Sequence, residues 1–504
     1  MKTVRCATYE GVEAKVVDVE STLTKGLPSF SIVGMASTAI TESKERVKSA
    51  LLSNDFSFPP KRITFLLAPS ELAKSGSHFD LSMALLILLH GVDVDLSEWF
   101  VFGELGLDGS VKENIQLYPL LLSLANQGLI TRAIVPYESL DKLVKIPNVS
   151  FYGVKSLSEA VALLKDQANT VASVESSELE YPSYSIDGEK YYYIKEYDED
   201  FSDVRGQEVA KRAALIAAAG FHNIILEGSP GCGKSMIASR LRYILPPMTV
   251  SEILDGAKLE VLEGIEPAFK PRRAFKNPHH SSTLASIFGG GSHKARIGEV
   301  GLANNGILFF DELPHFSKNV LESLREPMQD GKIRISRVNS KVVYPAKFLF
   351  VGAMNPCPCG NLLDEQKECR CSDLEIQRYK NRLSDPFLDR IDLHVVMQNV
   401  DANAKPSYSS KEMHKMVAEA HIFMKQRGQN CFNAHLSDKE LEKFCKLTQE
   451  ANAVLQMAIE RFALSFRSIK KVQKVARTIA DLDKSEDITK AHLLEALSYR
   501  KRAS

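Results

Sequence analysis

The sequence predicts an α/β fold built on a parallel sheet, and three stretches carry that expectation. Asn223-Ile224-Ile225-Leu226 is a short apolar run that enters the glycine-rich turn Gly228-Ser229-Pro230-Gly231-Cys232-Gly233-Lys234-Ser235, ahead of a helix-like segment ending at Pro246-Pro247. Gly306-Ile307-Leu308-Phe309-Phe310 is a second run and ends in two carboxylates, Asp311 and Glu312. Phe348-Leu349-Phe350-Val351 is a third and runs into Gly352-Ala353-Met354-Asn355. Continuous apolar runs of this length suit strands buried on both faces. Their polar ends would then share the carboxyl edge, where open α/β sheets bind ligands.

The first stretch has the spacing of a phosphate loop in its strand-loop-helix context. Glycines at Gly228, Gly231 and Gly233 let the backbone N–H groups of Ser229, Pro230-flanking residues and Cys232 close around phosphates at a helix N-terminus, where the dipole also favours negative charge. Lys234 is expected to reach the β- and γ-phosphates and Ser235 to hold Mg²⁺. Asp311 is expected in the Mg²⁺ shell, with Glu312 polarising the attacking water, so hydrolysis is expected rather than passive binding.

The order of phosphate loop, acidic strand and Asn-bearing strand resembles AAA+ motors, in which Asn355 would be the first sensor for the γ-phosphate and water. Leu383 to Leu393, with Ser384-Asp385-Pro386-Phe387-Leu388-Asp389-Arg390, resembles the segment that presents an arginine finger, with Arg390 at the finger position. Such an arginine acts on a neighbouring subunit's nucleotide and implies an oligomer. Ser465 to Ala480 has apolar residues at helical spacing with Arg467 at its entrance. In lids of the magnesium-chelatase branch that arginine is the second sensor, touching the γ-phosphate; Lys470, Lys471 and Lys474 read as a solvated basic face.

Further segments resemble the ComM/YifB family of magnesium-chelatase-like AAA+ proteins. They are Asp203-Val204-Arg205-Gly206-Gln207, Asn277-Pro278-His279-His280-Ser281, Gly298-Glu299-Val300, Phe310-Asp311-Glu312-Leu313-Pro314, Asn355-Pro356-Cys357-Pro358-Cys359-Gly360 and Ala476-Arg477-Thr478-Ile479-Ala480-Asp481-Leu482. The resemblance implies an ATP-dependent, homo-hexameric DNA helicase or translocase that promotes branch migration during recombination in natural transformation. A metallochelatase motor subunit and a protein-remodelling ATPase are the alternatives, since all three uses share the core. The resemblance also assigns Val204, Gly206 and Gln207 to the adenine side of the pocket. Residues roughly 265–300 resemble an insertion within the second helix, and the alternation flanking Val338-Asn339-Ser340 reads as a β-hairpin before the sensor strand.

The chain carries 63 basic and 63 acidic side chains, so bulk charge does not drive binding to nucleic acid. Contact with single-stranded, forked or branched DNA must be local. Lys294 and Arg296 on the insertion and Arg334, Arg337 and Lys341 on the hairpin are the candidates, converging on phosphates when several copies face one channel. Ordinary solvated loop charges are the alternative.

Cys357, Cys359, Cys369 and Cys371 form two C-x-C pairs just after the sensor strand. Four thiolates can complete a tetrahedral Zn²⁺ shell and stiffen a short loop; disulfides and free thiols are the alternatives. Neither a signal peptide at the start nor an apolar stretch of about 18 residues is seen, so a cytoplasmic protein without membrane partners is expected.

A length of 504 residues suggests about three domains. The expected organisation is 1–165 as an N-terminal domain, 166–200 as an acidic linker becoming a strand, 201–404 as the α/β core and 405–504 as a helical lid. Strand-like pieces from Val12, Phe30, Trp99 and Ala133, and helix-like runs at Ala36 to Ser53 and Leu81 to His90, give the first an α+β order. It resembles the Lon-protease-like domain related to the second domain of ribosomal protein S5. Ser77 falls near the serine of such peptidases, but the expected lysine position falls near Tyr118, and a Ser–Lys dyad needs that amine. Ser77 then reads as a helix cap near Asp80.

Overall fold

The computed structural model of the chain describes residues 2–11, 13–166, 173–174, 179–290, 296–336, 341–364, 366–399, 407–462 and 465–500. The chain divides into two units, one chiefly of residues up to 180 and the other chiefly of those that follow. Among the described residues no helix is long and apolar enough to cross a membrane.

The first unit is built on an eight-stranded mixed sheet. Lys2–Glu10 pairs antiparallel with Glu13–Thr24, which pairs antiparallel with Arg62–Ala68. On the other side Phe100–Val101, Arg132–Pro136 and Ser150–Val154 run parallel. The helix Asp80–Leu88 is buried from Asp80 to Ile87, which is why its apolar residues show no single stripe. Ser77 does not cap it: Phe79 holds the N-cap position, and the Ser77 hydroxyl donates to the Glu104 carboxylate. Tyr118 is buried in the helix Leu117–Asn126. The first strand was not anticipated, because its buried middle is the small trio Cys6, Ala7 and Thr8, which gives no apolar alternation.

The second unit is built around an all-parallel five-stranded sheet. Its strands are β1 (Ile224–Gly228), β2 (Phe275–Lys276), β3 (Ile307–Phe310), β4 (Leu349–Met354) and β5 (Leu393–Met397), in the order β2-β3-β4-β1-β5. Alternate side chains serve opposite faces, as the strand period requires. Ile224, Leu226, Phe309 and Val351 pack with the helices α1 (Glu208–Gly220), α3 (Ser410–Gln426) and α4 (Phe466–Leu482), whereas Ile225, Leu308, Phe310 and Phe350 pack against Phe316, Val320 and Leu324. In α4 the buried Val472, Val475, Ala476 and Ile479 follow the helical i, i+3, i+4, i+7 spacing.

Two further details, in the second unit, depart from the sequence expectation. Residues 275 and 276 form the edge strand β2, paired with Ile307 and Leu308, so the insertion range beginning near 265 opens too early. A two-residue strand with polar flanks leaves no periodicity to read. Within the expected linker, Ser183–Ile186 and Glu189–Tyr192 form a hairpin turned by Asp187 and Gly188, both at positive φ, as a two-residue turn requires. Its Tyr184 hydroxyl meets Nδ1 of His421 in α3 at 2.9 Å.

Candidate ATP site and its cationic counterpart

The phosphate loop leaves β1 and leads into α2 (Lys234–Leu241). Gly231 and Gly233 have φ of +84° and +93° with open space where a Cβ would stand, so backbone conformation, not crowding, requires glycine there. Gly228 is different: a Cβ would lie 2.7 Å from both Cys232 Sγ and Met397 O. The Lys234 ammonium donates to Gly228 O at 2.6 Å, Ser229 O at 2.9 Å and Asn355 Oδ1 at 3.2 Å. Pro230 and the buried Cys232 complete the loop.

The Ser235 hydroxyl lies 3.0 Å from Asp311 Oδ2. Two cis oxygens in an octahedral Mg²⁺ shell at about 2.05 Å stand about 2.9 Å apart, so this pair fits the ion. They would hold Mg²⁺, which neutralises phosphate charge when bound. Glu312 follows in a left-handed conformation, φ +50°, which a non-glycine residue adopts only where its surroundings enforce it. Its amide donates to Asp311 Oδ1 at 2.9 Å, and its carboxylate lies 3.5 Å from His280 Nδ1.

Gln207, with φ of +58°, starts α1 and donates from Nε2 to Cys232 O at 3.0 Å and Gln398 O at 2.6 Å. It thereby ties the phosphate loop to the end of β5. Gly206 precedes it at φ +58°, and Val204 is buried nearby in sequence.

Arg390 and Arg467 lie elsewhere in the same unit. Both donate to Gln329 Oε1, at 2.9 Å and 3.0 Å, and both line a cavity of about 560 Å³ shared with Lys470, Lys471, Lys474 and His435. Asn223 fixes the backbone at Arg390, donating from Nδ2 to Arg390 O at 3.0 Å while its Oδ1 accepts from Phe350 N at 2.9 Å. Burial, then Arg467 and Arg325, depress the Arg390 pKa, the signature of cations crowded without enough counter-charge. The solvated-face reading of the lid lysines does not hold. Lys471 is largely buried, pairs with Asp392 at 3.3 Å and donates to Ile391 O at 3.1 Å; Lys470 pairs with Asp438 at 2.6 Å, and Lys474 donates to Ala434 O at 3.1 Å. Arg467 shares the acceptor Gln329 Oε1 with Arg390.

The four cysteines come together, all Sγ atoms within 4.8 Å of one another. Cys357 Sγ lies 3.4 Å from Cys359 Sγ and 3.7 Å from Cys369 Sγ, and Cys359 to Cys369 is 3.7 Å; no disulfide joins them. Edges of a ZnS₄ tetrahedron with Zn–S of about 2.3 Å measure about 3.8 Å, so the donor set fits zinc.

The anticipated hairpin forms from Lys332–Ser336 and Lys341–Pro345. Arg334 on it is exposed yet not free, pairing with Glu326 at 2.7 Å and Asp330 at 3.6 Å. Lys294 and Arg337, with the side chains of Arg296 and Lys341, lie outside the described residues. Sequence reading missed Gln329, Asn223 and the His280 contact. The first two carry no motif, and His280 stood only within a family segment.

A glycine-rich loop, the Ser235–Asp311 pair that fits Mg²⁺ and the Asn355 amide at one sheet edge fit a nucleotide-hydrolysing domain of the AAA type. Residues 200–405 match the family described as magnesium chelatase, subunit ChlI; residues 19–139 match subunit ChlI of Mg-chelatase, and 407–500 its C-terminal part. Competence protein ComM of Haemophilus influenzae is 37% identical over 503 residues, covering 97% of this chain and 95% of that protein. An uncharacterised protein, YifB, of Escherichia coli is 36% identical over 502 residues, again 97% and 95%. The magnesium-chelatase 67 kDa subunit of Chlorobaculum parvum is 25% identical over 168 residues, 31% of this chain and 23% of that one. The chain belongs to the ComM/YifB family and is a ComM-like AAA ATPase with magnesium-chelatase domains.

Proposed function

We propose that the chain is an ATP-driven DNA motor that assembles as a homo-hexamer and migrates branched DNA during recombination in natural transformation. The observation that carries the ring is the position of Arg390 at the sheet edge opposite the phosphate loop, from which it serves a neighbour's nucleotide and not its own. In this reading the second unit is an AAA+ core with α3 and α4 in a helical lid, and the N-terminal unit is a Lon-like module without proteolytic work. Lys234 binds the triphosphate, Ser235 and Asp311 hold Mg²⁺, Glu312 polarises water and Asn355 senses the γ-phosphate. Arg390 and Arg467 of the next protomer neutralise the charge that develops on transfer.

The DNA part is supported by full-length similarity to a protein named for competence. Arg334 adds to it, because its ion pairs are exposed, and exposed pairs are weak enough for a phosphate to displace. Repeated around a ring, a few such cations give salt-sensitive binding to the backbone. The similarity to a magnesium-chelatase subunit supports a second use of the same motor, in which ATP turnover remodels a protein partner. DNA-stimulated ATPase activity and migration of a synthetic four-way junction separate them. Stimulation and migration support the DNA motor; ATP turnover indifferent to single-stranded, forked and branched DNA would contradict it.

A further inference from the structure

The chain from the sensor Asn355 through the helix Asp373–Lys380 touches the ATP edge near both of its ends. At its start, Gly360 has φ of +83°, and a Cβ there would lie 2.6 Å from Pro230 Cδ and 2.7 Å from Pro230 Cγ. The loop backbone therefore rests on the proline of the phosphate loop. At its end, Lys380 pairs at 3.3 Å with Glu227, the residue before Gly228, and Tyr379 is buried and bonded to the Asn355 backbone. Between these ends the described residues hold no helix or strand before Asp373. Such a segment has little apolar surface with which to fix itself, and fixing it costs conformational entropy. Four thiols at near-tetrahedral spacing lie in its middle.

We propose that Cys357, Cys359, Cys369 and Cys371 bind one Zn²⁺, and that this ion positions the phosphate loop by pressing Gly360 against Pro230. Binding releases protons from the thiols, forms four Zn–S bonds and changes no oxidation state. The role is positioning: none of these four cysteines is among the residues assigned to the triphosphate. Occupancy of the metal becomes a condition for tight nucleotide binding. The proposal rests on the reading of Lys234 and Asn355 as ATP ligands, but not on any DNA activity.

The test measures zinc content by elemental analysis and affinity for a non-hydrolysable ATP analogue, in the full chain without DNA. One zinc per chain is expected. A zinc-selective chelator that spares Mg²⁺ should weaken analogue binding about tenfold, and added Zn²⁺ should restore it, with circular dichroism unchanged throughout. Pro230→Ala should keep its zinc yet lose most of the difference between the metal-loaded and stripped protein, since the contact that conveys the metal's effect is gone. Lys234→Ala abolishes analogue binding with zinc retained if the ATP ligands are correctly read. Zinc-free protein, equal affinity with and without zinc, or full zinc dependence in Pro230→Ala would each overturn the proposal.

Discussion

Lys234 and Arg390 stand at opposite edges of one parallel sheet. Lys234 lies beyond Gly228, which pairs with Met397 at the carboxyl end of β5; Arg390 lies before Leu393, which pairs with Ile224 at the amino end. At about 3.3 Å per residue, a five-residue strand separates the two edges by about 16 Å. An arginine side chain that is already bonded to Gln329 and anchored through Asn223 does not cross that distance to its own nucleotide.

Arg390→Ala should therefore lower steady-state ATP turnover by about a thousandfold or more, within the range of arginine fingers. Affinity of the same protomer for ATP should change less than about threefold, because the phosphate loop is untouched. Arg467→Ala should behave similarly, since it shares Gln329 and the cavity with Arg390. Turnover assays paired with calorimetric titration of a non-hydrolysable analogue separate the two effects.

Glu312→Gln should keep nucleotide and Mg²⁺ binding but abolish hydrolysis, because Lys234, Ser235 and Asp311 remain while the carboxylate proposed to polarise water is lost. Rapid filtration should recover unhydrolysed ATP on the variant. Release of product at the normal rate would remove Glu312 from the mechanism.

Asp392 and Lys471 join the sheet to α4. Burial pushes the Asp392 carboxyl up, but Lys471, His222 and the Asn223 amide more than offset it, leaving it below the usual carboxylate range. Asp392→Asn leaves a largely buried ammonium without its counter-ion and should destabilise the motor unit by about 3 kcal/mol. Replacing both, Asp392→Leu with Lys471→Met, should recover much of the loss in urea unfolding.

Burial lowers the pKa of His414 to about 4, and burial followed by Lys425 and Arg273 lowers that of His421 to about 3. The Tyr197 and Tyr184 hydroxyls hydrogen-bond to the Nδ1 atoms of His414 and His421, at 3.0 Å and 2.9 Å. An unfolded histidine titrates near 6.5, so below that pH the unfolded chain binds protons that the folded one does not. Stability should thus be full above about pH 6.5 and fall progressively towards pH 4. His414→Gln with His421→Gln should flatten that slope in pH-dependent urea melts.

How much of this was legible in the sequence follows from how local each signal is. The phosphate loop, Asp311 and Asn355 are read from contiguous residues at strand ends, and the strands β1, β3 and β4 from apolar runs of the right length. Strand β2 is too short to show a period, and the Asp187-Gly188 hairpin hid in a polar stretch read as linker. Gln329, Asn223 and the burial of Lys471 depend on contacts distant in sequence, for which composition offers no cue. That Arg390 and Arg467 share Gln329 as acceptor was out of reach for the same reason.

The most direct measurement mixes two inactive variants. Lys234→Ala keeps its arginines, and Arg390→Ala keeps its phosphate loop; where the two stand side by side in a ring, one seam in the pair carries both intact halves. ATP turnover should be near zero for each variant alone and should reappear on mixing, rising with the statistics of neighbouring pairs. If mixing restores nothing while both variants co-assemble, or if Arg390→Ala alone hydrolyses ATP at the unmodified rate, the site is not shared between protomers.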